Sequence, residues 1–169
     1  MRSSGASAAQ RQHPVIVREA TRKDADALTA IDAQCFCEGI AYPRTEIAAL
    51  LRSGAVHTVV AETSLAILGF ASFGYRLPTV QNSSPIRLEA ELITIDVLPE
   101  FRRERVGSLL YQELESSFRK CNGKRIELHV SVENRAAINF YNQLGYSVVQ
   151  RVPEYYLRKL DAWKMEKLL

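Results

Sequence analysis

A short arginine-rich turn lies between an apolar segment and an amphipathic helix, and its composition is that of an anion-binding site. Residues 102–107 read Arg-Arg-Glu-Arg-Val-Gly, and a helix is predicted to begin near Arg105. The start of a helix leaves backbone N–H groups without intrahelical partners at the positive end of the helix dipole. Arginine side chains bind phosphate oxygens in pairs. The turn therefore predicts a phosphate site, and the alternative interpretation is a solvated, charged helix entry.

The turn lacks the marks of two common nucleotide-binding motifs. No Gly-Lys-Ser or Gly-Lys-Thr follows it, so no hydroxyl is placed to hold magnesium as in a P-loop. The glycines of the G-x-G-x-x-G dinucleotide fingerprint are also missing. The anion predicted at this turn therefore belongs to another class of ligand.

A strand and a helix are predicted to hold the turn. Residues 92–98 are apolar and β-branched, which is typical of a buried strand, and Pro99 ends it because proline cannot donate to a sheet ladder. The helix that follows runs to about Cys121, and Asn122-Gly123 stops it. Its apolar residues share one face: Val106, Leu109, Leu110, Leu114, Phe118 and Cys121.

The rest of the chain alternates strands and helices, so the sequence predicts an α/β protein with a mixed α+β sheet. Residues 1–13 are expected to form a disordered tail, and residues 14–169 to form one domain. Residues 77–87 and 153–161 are expected to be loops. Hydrophobic periodicity places further strands at 15–18, 57–62, 65–75, 124–132, 146–152 and 162–168, and further helices at 24–35, 45–52 and 134–144.

Composition limits the classes of function. The chain has 169 residues and a formal net charge of +3, with no dense basic stripe, so nucleic-acid binding is not expected. The sequence contains no run of about 20 apolar residues, so a membrane span is not predicted. Cys35, Cys37 and Cys121 are an odd number without framework spacing, which favours a reduced cytoplasm. A metal site at the Cys35–Cys37 pair is the alternative, and it is set aside because no second ligand pair exists.

Three stretches together resemble the GNAT acyltransferase family. Residues 97–110, V-L-P-E-F-R-R-E-R-V-G-S-L-L, resemble its motif A, Q/R-x-x-G-x-G/A, with Arg102 and Gly107 at the ends and Arg105 in place of the middle glycine. Residues 128–146, L-H-V-S-V-E-N-R-A-A-I-N-F-Y-N-Q-L-G-Y, resemble motif B. The tail from Tyr155, Y-Y-L-R-K-L-D-A-W-K-M, is similar to that of the N-terminal protein acetyltransferases, including the RimI-like ribosomal-protein-alanine enzymes.

The resemblance implies a fold and a cofactor. The GNAT fold has a mostly antiparallel central sheet, splayed between its fourth and fifth strands and flanked by helices. Its cofactor is acetyl-coenzyme A, whose pyrophosphate binds at the motif A turn and whose pantetheine arm contacts the backbone of the fourth strand. The residues that the resemblance assigns to the cofactor are Ile95, Asp96, Val97, Arg102, Arg103, Glu104, Arg105, Val106, Gly107, Ser108, Asn134 and Tyr141.

The resemblance also implies catalytic roles that the residue types alone would not. Tyr141 is the expected general acid, which protonates the departing thiolate; without the resemblance it is an ordinary core tyrosine. His129 is the leading candidate for the general base, acting through water, and Glu91 is the second. Without the resemblance, His129 is a solvated strand histidine and Glu91 a strand-end carboxylate.

The substrate predicted from the family tail is a protein N-terminal α-amine, acetylated by direct attack in a ternary complex. Tyr155 and Tyr156 are expected to hold the first residues of the peptide, and Tyr42 to form the other wall; their alternative is packing on the core. Acetylation of a small amine or a lysine stays open, and so does a catalytically silent coenzyme A-binding module, which Arg105 favours. A monomer or a homodimer is expected.

Overall fold

The computed structural model describes residues 13–37, 39–76 and 88–169. In this part of the chain the α-helices are α1 (Ala25–Cys35), α2 (Arg44–Leu50), α3 (Val106–Lys120) and α4 (Arg135–Gln143). The strands are β1 (Ile16–Glu19), β2 (Val56–Glu62), β3 (Ile67–Arg76), β4 (Leu88–Val97), β5 (Gly123–Ser131), β6 (Ser147–Tyr156) and β7 (Leu160–Leu168). The predicted loop at 77–87 and the predicted tail, apart from His13, lie outside the described residues.

The strands form a mixed sheet in the order β1-β2-β3-β4-β5-β7-β6. Strand β1 is antiparallel to β2, and β7 is antiparallel to both β5 and β6. Strand β4 runs parallel to β5, with Leu88–Glu91 beside Gly123–Glu127. The predicted α/β fold class with a mixed sheet is thereby confirmed, while the splay between the fourth and fifth strands stays a prediction.

The chain divides into two compact units, which share β3, β4 and α3. The first unit comprises Met1–Phe73 and Ile93–Ser117. Its core packs α1 and α2 on β2 and β3 through Leu28, Ile31, Ile47, Val60 and Phe70. Gly69 of β3 lies so close to β4 that a Cβ there would stand 2.4 Å from the Asp96 carbonyl oxygen, so the two backbones could not approach this closely with any side chain at position 69.

The second unit comprises Gly74–Leu92 and Phe118–Leu169. Inward-facing side chains of β5 and β7 form its core, and they include Ile126, Leu128 and Met165, each at most 1% exposed. The ring of Tyr75 stacks on Phe118 with centroids 5.5 Å apart. Strand β5 therefore presents a continuous apolar row inward, and the alternate row carries Arg125, Glu127 and His129.

The prediction of a loop at 153–161 is wrong, because β6 continues through Pro153 to Tyr156. Strand β6 is at the edge of the sheet, where a residue without an N–H is tolerated. The reversal is a tight turn, in which Lys159 N donates to Tyr156 O at 3.0 Å. Leu157 and Arg158 both have φ 53°, in the left-handed region that non-glycine residues rarely adopt.

The predicted apolar face of α3 is correct except at two positions. Leu109 is 38% exposed, and Cys121 follows the last residue of the helix and is also exposed. Tyr111, which the sequence analysis did not place in the core, is buried and packs edge-on against Phe73 at 6.0 Å. An aromatic ring thus occupies part of the inward face that the prediction gave to Leu109.

Candidate active site

The arginine-rich turn leads directly into α3, as the sequence predicts. The first helical hydrogen bond runs from Leu109 N to Arg105 O at 3.0 Å. The amides of Val106, Gly107 and Ser108 therefore precede the ladder of helical hydrogen bonds, at the positive end of the helix dipole. The side chains of residues 102–105 are exposed, so their charges remain accessible to a ligand.

Two residues of the turn have left-handed backbone. Arg103 has φ 65° and Arg105 has φ 64°. An L-residue with a side chain pays about 1–2 kcal/mol for this conformation, whereas glycine does not. The structure thus gives a backbone reason for the glycine that motif A carries where this chain has Arg105. Turns of this kind point successive N–H groups into one concavity, which suits an anion.

A pair of buried acids lies at the end of β4, in the same unit as the turn. Asp96 is 1% exposed and accepts a hydrogen bond from Thr94 Oγ1 at 3.0 Å, while Asp32 accepts one from Tyr42 N at 2.6 Å. Burial, together with the charge of Asp32, raises the pKa of Asp96 to about 8. Burial raises the pKa of Asp32 as well. Asp96 is therefore protonated near neutral pH, which avoids two neighbouring buried charges.

The Val97 carbonyl oxygen, next to this pair, accepts two side-chain donors. They are Arg102 Nε at 3.1 Å and Cys35 Sγ at 3.4 Å. Burial, with the nearby Asp96, raises the pKa of the Cys35 thiol, so it stays protonated. Two of the β4 residues predicted to contact the cofactor are thus restricted. The Asp96 side chain is buried, so only its backbone could contact a ligand, and the Val97 carbonyl oxygen already accepts two hydrogen bonds.

A second polar cluster lies in the other unit, around His129. Its Nδ1 is buried and stands 3.7 Å from Glu91 Oε1. The ring of Tyr155 stacks on the imidazole, with centroids 4.5 Å apart and an interplanar angle of 9°. Tyr156 Oη donates to the His129 carbonyl oxygen at 3.1 Å. The structure thus brings together four predicted site residues: both candidate bases and both tyrosines of the tail.

Ion pairs that the sequence analysis missed continue this cluster. Glu127, which is 7% exposed, is bound by Arg76 and lies 2.9 Å from Lys164 Nζ. Arg76 Nη2 is also 3.6 Å from Glu91 Oε2. Burial pushes the pKa of Glu127 up, but the two cations outweigh it and hold the pKa below its usual range. The alternation of Arg125, Glu127 and His129 along β5 was the signal available in the sequence.

The remaining predicted residues occupy ordinary structural positions. Tyr141, on α4, is 8% exposed and packs against Phe140 and Tyr146. Asn134 caps α4, with its Oδ1 accepting from Ala137 N at 3.1 Å, a common role for an asparagine at the start of a helix. Tyr42 packs on the apolar core of the first unit.

The turn fits the diphosphate of coenzyme A, because exposed guanidinium groups, the first amides of a helix and left-handed backbone occur together there. Within the described residues, no three His, Cys, Asp or Glu side chains are grouped as a metal site requires. No described helix has the length and hydropathy needed to cross a membrane.

The sequence of the chain matches known proteins of one family. The model of the acetyltransferase (GNAT) family matches residues 25–146. The chain is 27% identical to an N-alpha-acetyltransferase of Sulfurisphaera tokodaii, over 88% of this chain and 90% of that protein. It is 34% identical to N-alpha-acetyltransferase 20 of Dictyostelium discoideum, over 57% of this chain, and it spans little more than half (56%) of that relative.

Solved structures show the same fold. The ribosomal-protein-S18-alanine N-acetyltransferase of Escherichia coli superposes with a TM-score of 0.77 at 20% sequence identity. The match covers 92% of this chain and 94% of that protein. The predicted resemblance to GNAT enzymes, and within them to N-terminal protein acetyltransferases, is confirmed.

Proposed function

The chain belongs to the GNAT acetyltransferase family, and from this premise we propose that it transfers an acetyl group from acetyl-coenzyme A to a primary amine, chiefly the α-amine of a protein N-terminus. The observation that carries the proposal is the His129–Glu91 pair under Tyr155, because it places a candidate proton acceptor in a half-buried polar cluster. The S. tokodaii relative, which this chain spans almost completely, is named an N-alpha-acetyltransferase.

The residues of the turn are the proposed cofactor site. The amides of Val106, Gly107 and Ser108 and the side chains of Arg102 and Arg103 would hold the pyrophosphate through charge-assisted hydrogen bonds. The backbone of β4 near Ile95 would hold the pantetheine arm. Acetyl-coenzyme A supplies the activated thioester when bound, and the chain's own residues orient it and move the protons.

His129 is the proposed general base, and Glu91 the residue that orients it. The Glu91 carboxylate, 3.7 Å from Nδ1, attracts a proton to that nitrogen, which would leave Nε2 as the acceptor. Glu91 also stabilises the imidazolium that forms when Nε2 takes a proton from the amine through water. The two candidates that the sequence left as rivals thereby become partners.

An α-amine needs little help from this base. With a pKa near 8, about a tenth of a peptide α-amine is already neutral at pH 7, whereas a lysine amine near 10.4 is neutral in well under a thousandth. A histidine acting through water therefore suits an α-amine better than a lysine. Tyr155, which faces the imidazole, is the proposed contact for the first residues of the peptide, with Tyr42 as a further candidate.

Tyr141 is the proposed general acid. Its burial on α4 shields the phenol from bulk water, which favours direct proton transfer to the departing thiolate. We expect Tyr141→Phe to lower kcat by about 10- to 100-fold while leaving the affinity for coenzyme A nearly unchanged. Steady-state kinetics together with calorimetric titration would check this, with Tyr146→Phe as the matched control. An unchanged kcat removes Tyr141 from the reaction.

A second candidate function is a coenzyme A-binding module without catalysis, and the observation that favours it is Arg105 in place of the motif glycine. A peptide library varied at its first two residues, assayed by mass spectrometry beside lysine-containing and polyamine substrates, separates the alternatives. Acetylation of α-amines supports the proposal. Acetylation of lysines or polyamines alone contradicts it, and cofactor binding without transfer to any amine indicates the silent module.

The proposed location is the cytoplasm, because Cys35, Cys37 and Cys121 are free thiols. The proposed assembly is a monomer or a homodimer, which sedimentation would decide.

A further inference from the structure

A chain of alternating charges runs across the second unit and ends at His129. In order, its members are Glu89, Arg125, Glu166, Lys164, Glu127, Arg76 and Glu91. Each neighbouring pair in this series is within 3.6 Å. The residues come from β3, β4, β5 and β7, so several strands contribute to one polar surface.

Arg76 occupies the last cationic position before His129, and it contacts two carboxylates. It binds Glu127 directly and stands 3.6 Å from Glu91 Oε2, while the other oxygen of Glu91 is the one that faces His129 Nδ1. Glu127 is held on its other side by Lys164, 2.9 Å away. Arg76 is therefore anchored by a carboxylate that cannot move away easily, and Glu91 lies between Arg76 and the imidazole.

We propose that Arg76 is a positioning residue for the acetyl transfer: anchored by Glu127, it fixes the Glu91 carboxylate beside His129 and offsets part of that carboxylate's charge. The inference rests on the proposed function of His129. Without a cation beside it, the Glu91 carboxylate would attract the imidazolium more strongly. Arg76 keeps Glu91 in place for orientation while weakening its hold on the proton.

Charged and titratable groups from several strands surround the imidazole of His129, and each can affect its titration. Glu91 comes from β4, Tyr155 stacks from β6, and Lys164 of β7 is the register partner of His129. Glu127 lies two residues before it on β5, and Arg76 reaches the site from the end of β3. Removal of the Arg76 charge leaves Glu91 less compensated, so the imidazole should titrate at higher pH.

The test is NMR titration of the imidazole in the full chain. The sequence has only three histidines, so replacing His13 and His57 by Gln assigns the His129 signal. We expect Arg76→Met to raise the midpoint by about half a pH unit or more, and Arg76→Lys to restore most of the difference. The pH at which kcat/KM reaches half its plateau should rise in parallel. Arg76 is 48% exposed, so these variants should fold.

Two controls separate positioning from a general effect of charge. Arg125→Met removes one cation that also bridges two carboxylates, but neither of them is Glu91 or Glu127; it should leave the midpoint unchanged. In a Glu91→Gln background, Arg76→Met should produce no further shift, because its effect passes through Glu91. Equal shifts in Arg125→Met and Arg76→Met, or no shift in either, would overturn the positioning role.

The NMR measurement needs no substrate, so the two levels of inference fail separately. Absence of acetyl transfer by the wild-type chain would refute the proposed function. An unmoved titration in an active, His129-dependent enzyme would refute the role of Arg76 alone.

Discussion

Two buried carboxyl groups, Asp96 in the first unit and Glu127 in the second, are treated in opposite ways. The side chain of Asp96 accepts a hydrogen bond from Thr94 and lies near a second acid, Asp32. Burial and the Asp32 charge together raise the pKa of Asp96 to about 8. Glu127 is clasped by Arg76 and Lys164, which keep it ionised despite its burial. The difference shows that burial alone does not decide charge; the immediate partners do.

The regions around Asp96 and Glu127 also differ in how freely their groups can meet a ligand. The region around Asp96 leads into an exposed turn with left-handed arginines, and the first N–H groups of α3 follow it. The region around Glu127 is interlocked by ion pairs, which leaves little freedom to the side chains beside His129. A backbone that receives a phosphate and side chains that handle a proton thus have different structural requirements.

The sharpest test of the second region is His129→Ala. Loss of a general base lowers turnover by about 10²- to 10⁴-fold, so we expect kcat/KM for a peptide α-amine to fall at least 100-fold. Affinity for coenzyme A should be nearly unchanged. His57→Ala is the matched control, since His57 lies on β2 of the other unit. A fall of only a few fold would show that the ion-paired cluster does not handle the proton.

Asp96→Asn tests the opposite treatment in the first region. A carboxyl whose folded pKa is raised to about 8 contributes stability that is present below pH 4 and lost as the pH rises through 8. The loss is at most about 1.4 kcal/mol per pH unit. An asparagine amide stays neutral over this range, so the variant should lose less stability than wild type between pH 5 and pH 8. Urea unfolding at both pH values measures this.

If the free energy of unfolding of the wild type and of Asp96→Asn changed with pH in parallel, Asp96 would have an ordinary carboxyl pKa in the folded protein. Glu127→Gln provides the contrast, because its partners lower the pKa: the wild-type ion pairs contribute stability above the ordinary carboxyl pKa, and that contribution is lost as the pH falls below it.

Arg102→Ala should weaken binding of coenzyme A by at least about 10-fold, because one hydrogen bond to a charged group contributes about 1.5–3 kcal/mol. Peptide KM should change little. Calorimetry with coenzyme A and with pantetheine, which lacks the pyrophosphate, distinguishes the pyrophosphate contact from a general loss of structure. Equal weakening for both ligands would contradict a phosphate role for the turn.

Arg105→Gly carries the smallest expected effect. Glycine accepts φ 64° without strain, so we expect a gain of about 1 kcal/mol in the free energy of unfolding. That corresponds to a rise of about 2–4 °C in Tm for a chain of this size. Arg119→Gly, within α3, should instead lower Tm. A lower Tm for Arg105→Gly would mean that the arginine side chain stabilises the turn by more than its backbone costs.

The sequence predicted what depends on local pattern. The buried strand before Pro99, helix α3 and the α4 helix with its capping asparagine all follow from hydrophobic period and stop signals. It did not predict β6 beyond Pro153, since edge position is a property of the whole sheet. The Arg76–Glu127 pair was also out of reach, because it joins residues 51 positions apart on different strands.

The reversal between β6 and β7 has a consequence for engineering. Leu157 and Arg158 both adopt backbone angles that their side chains disfavour, and the hairpin nevertheless closes. An Asn-Gly dipeptide prefers those angles, so it would fit the existing reversal without reshaping the strands on either side. The turn between β6 and β7 is therefore where foreign residues can be introduced while Tyr155 and Tyr156, at the end of β6, keep their positions.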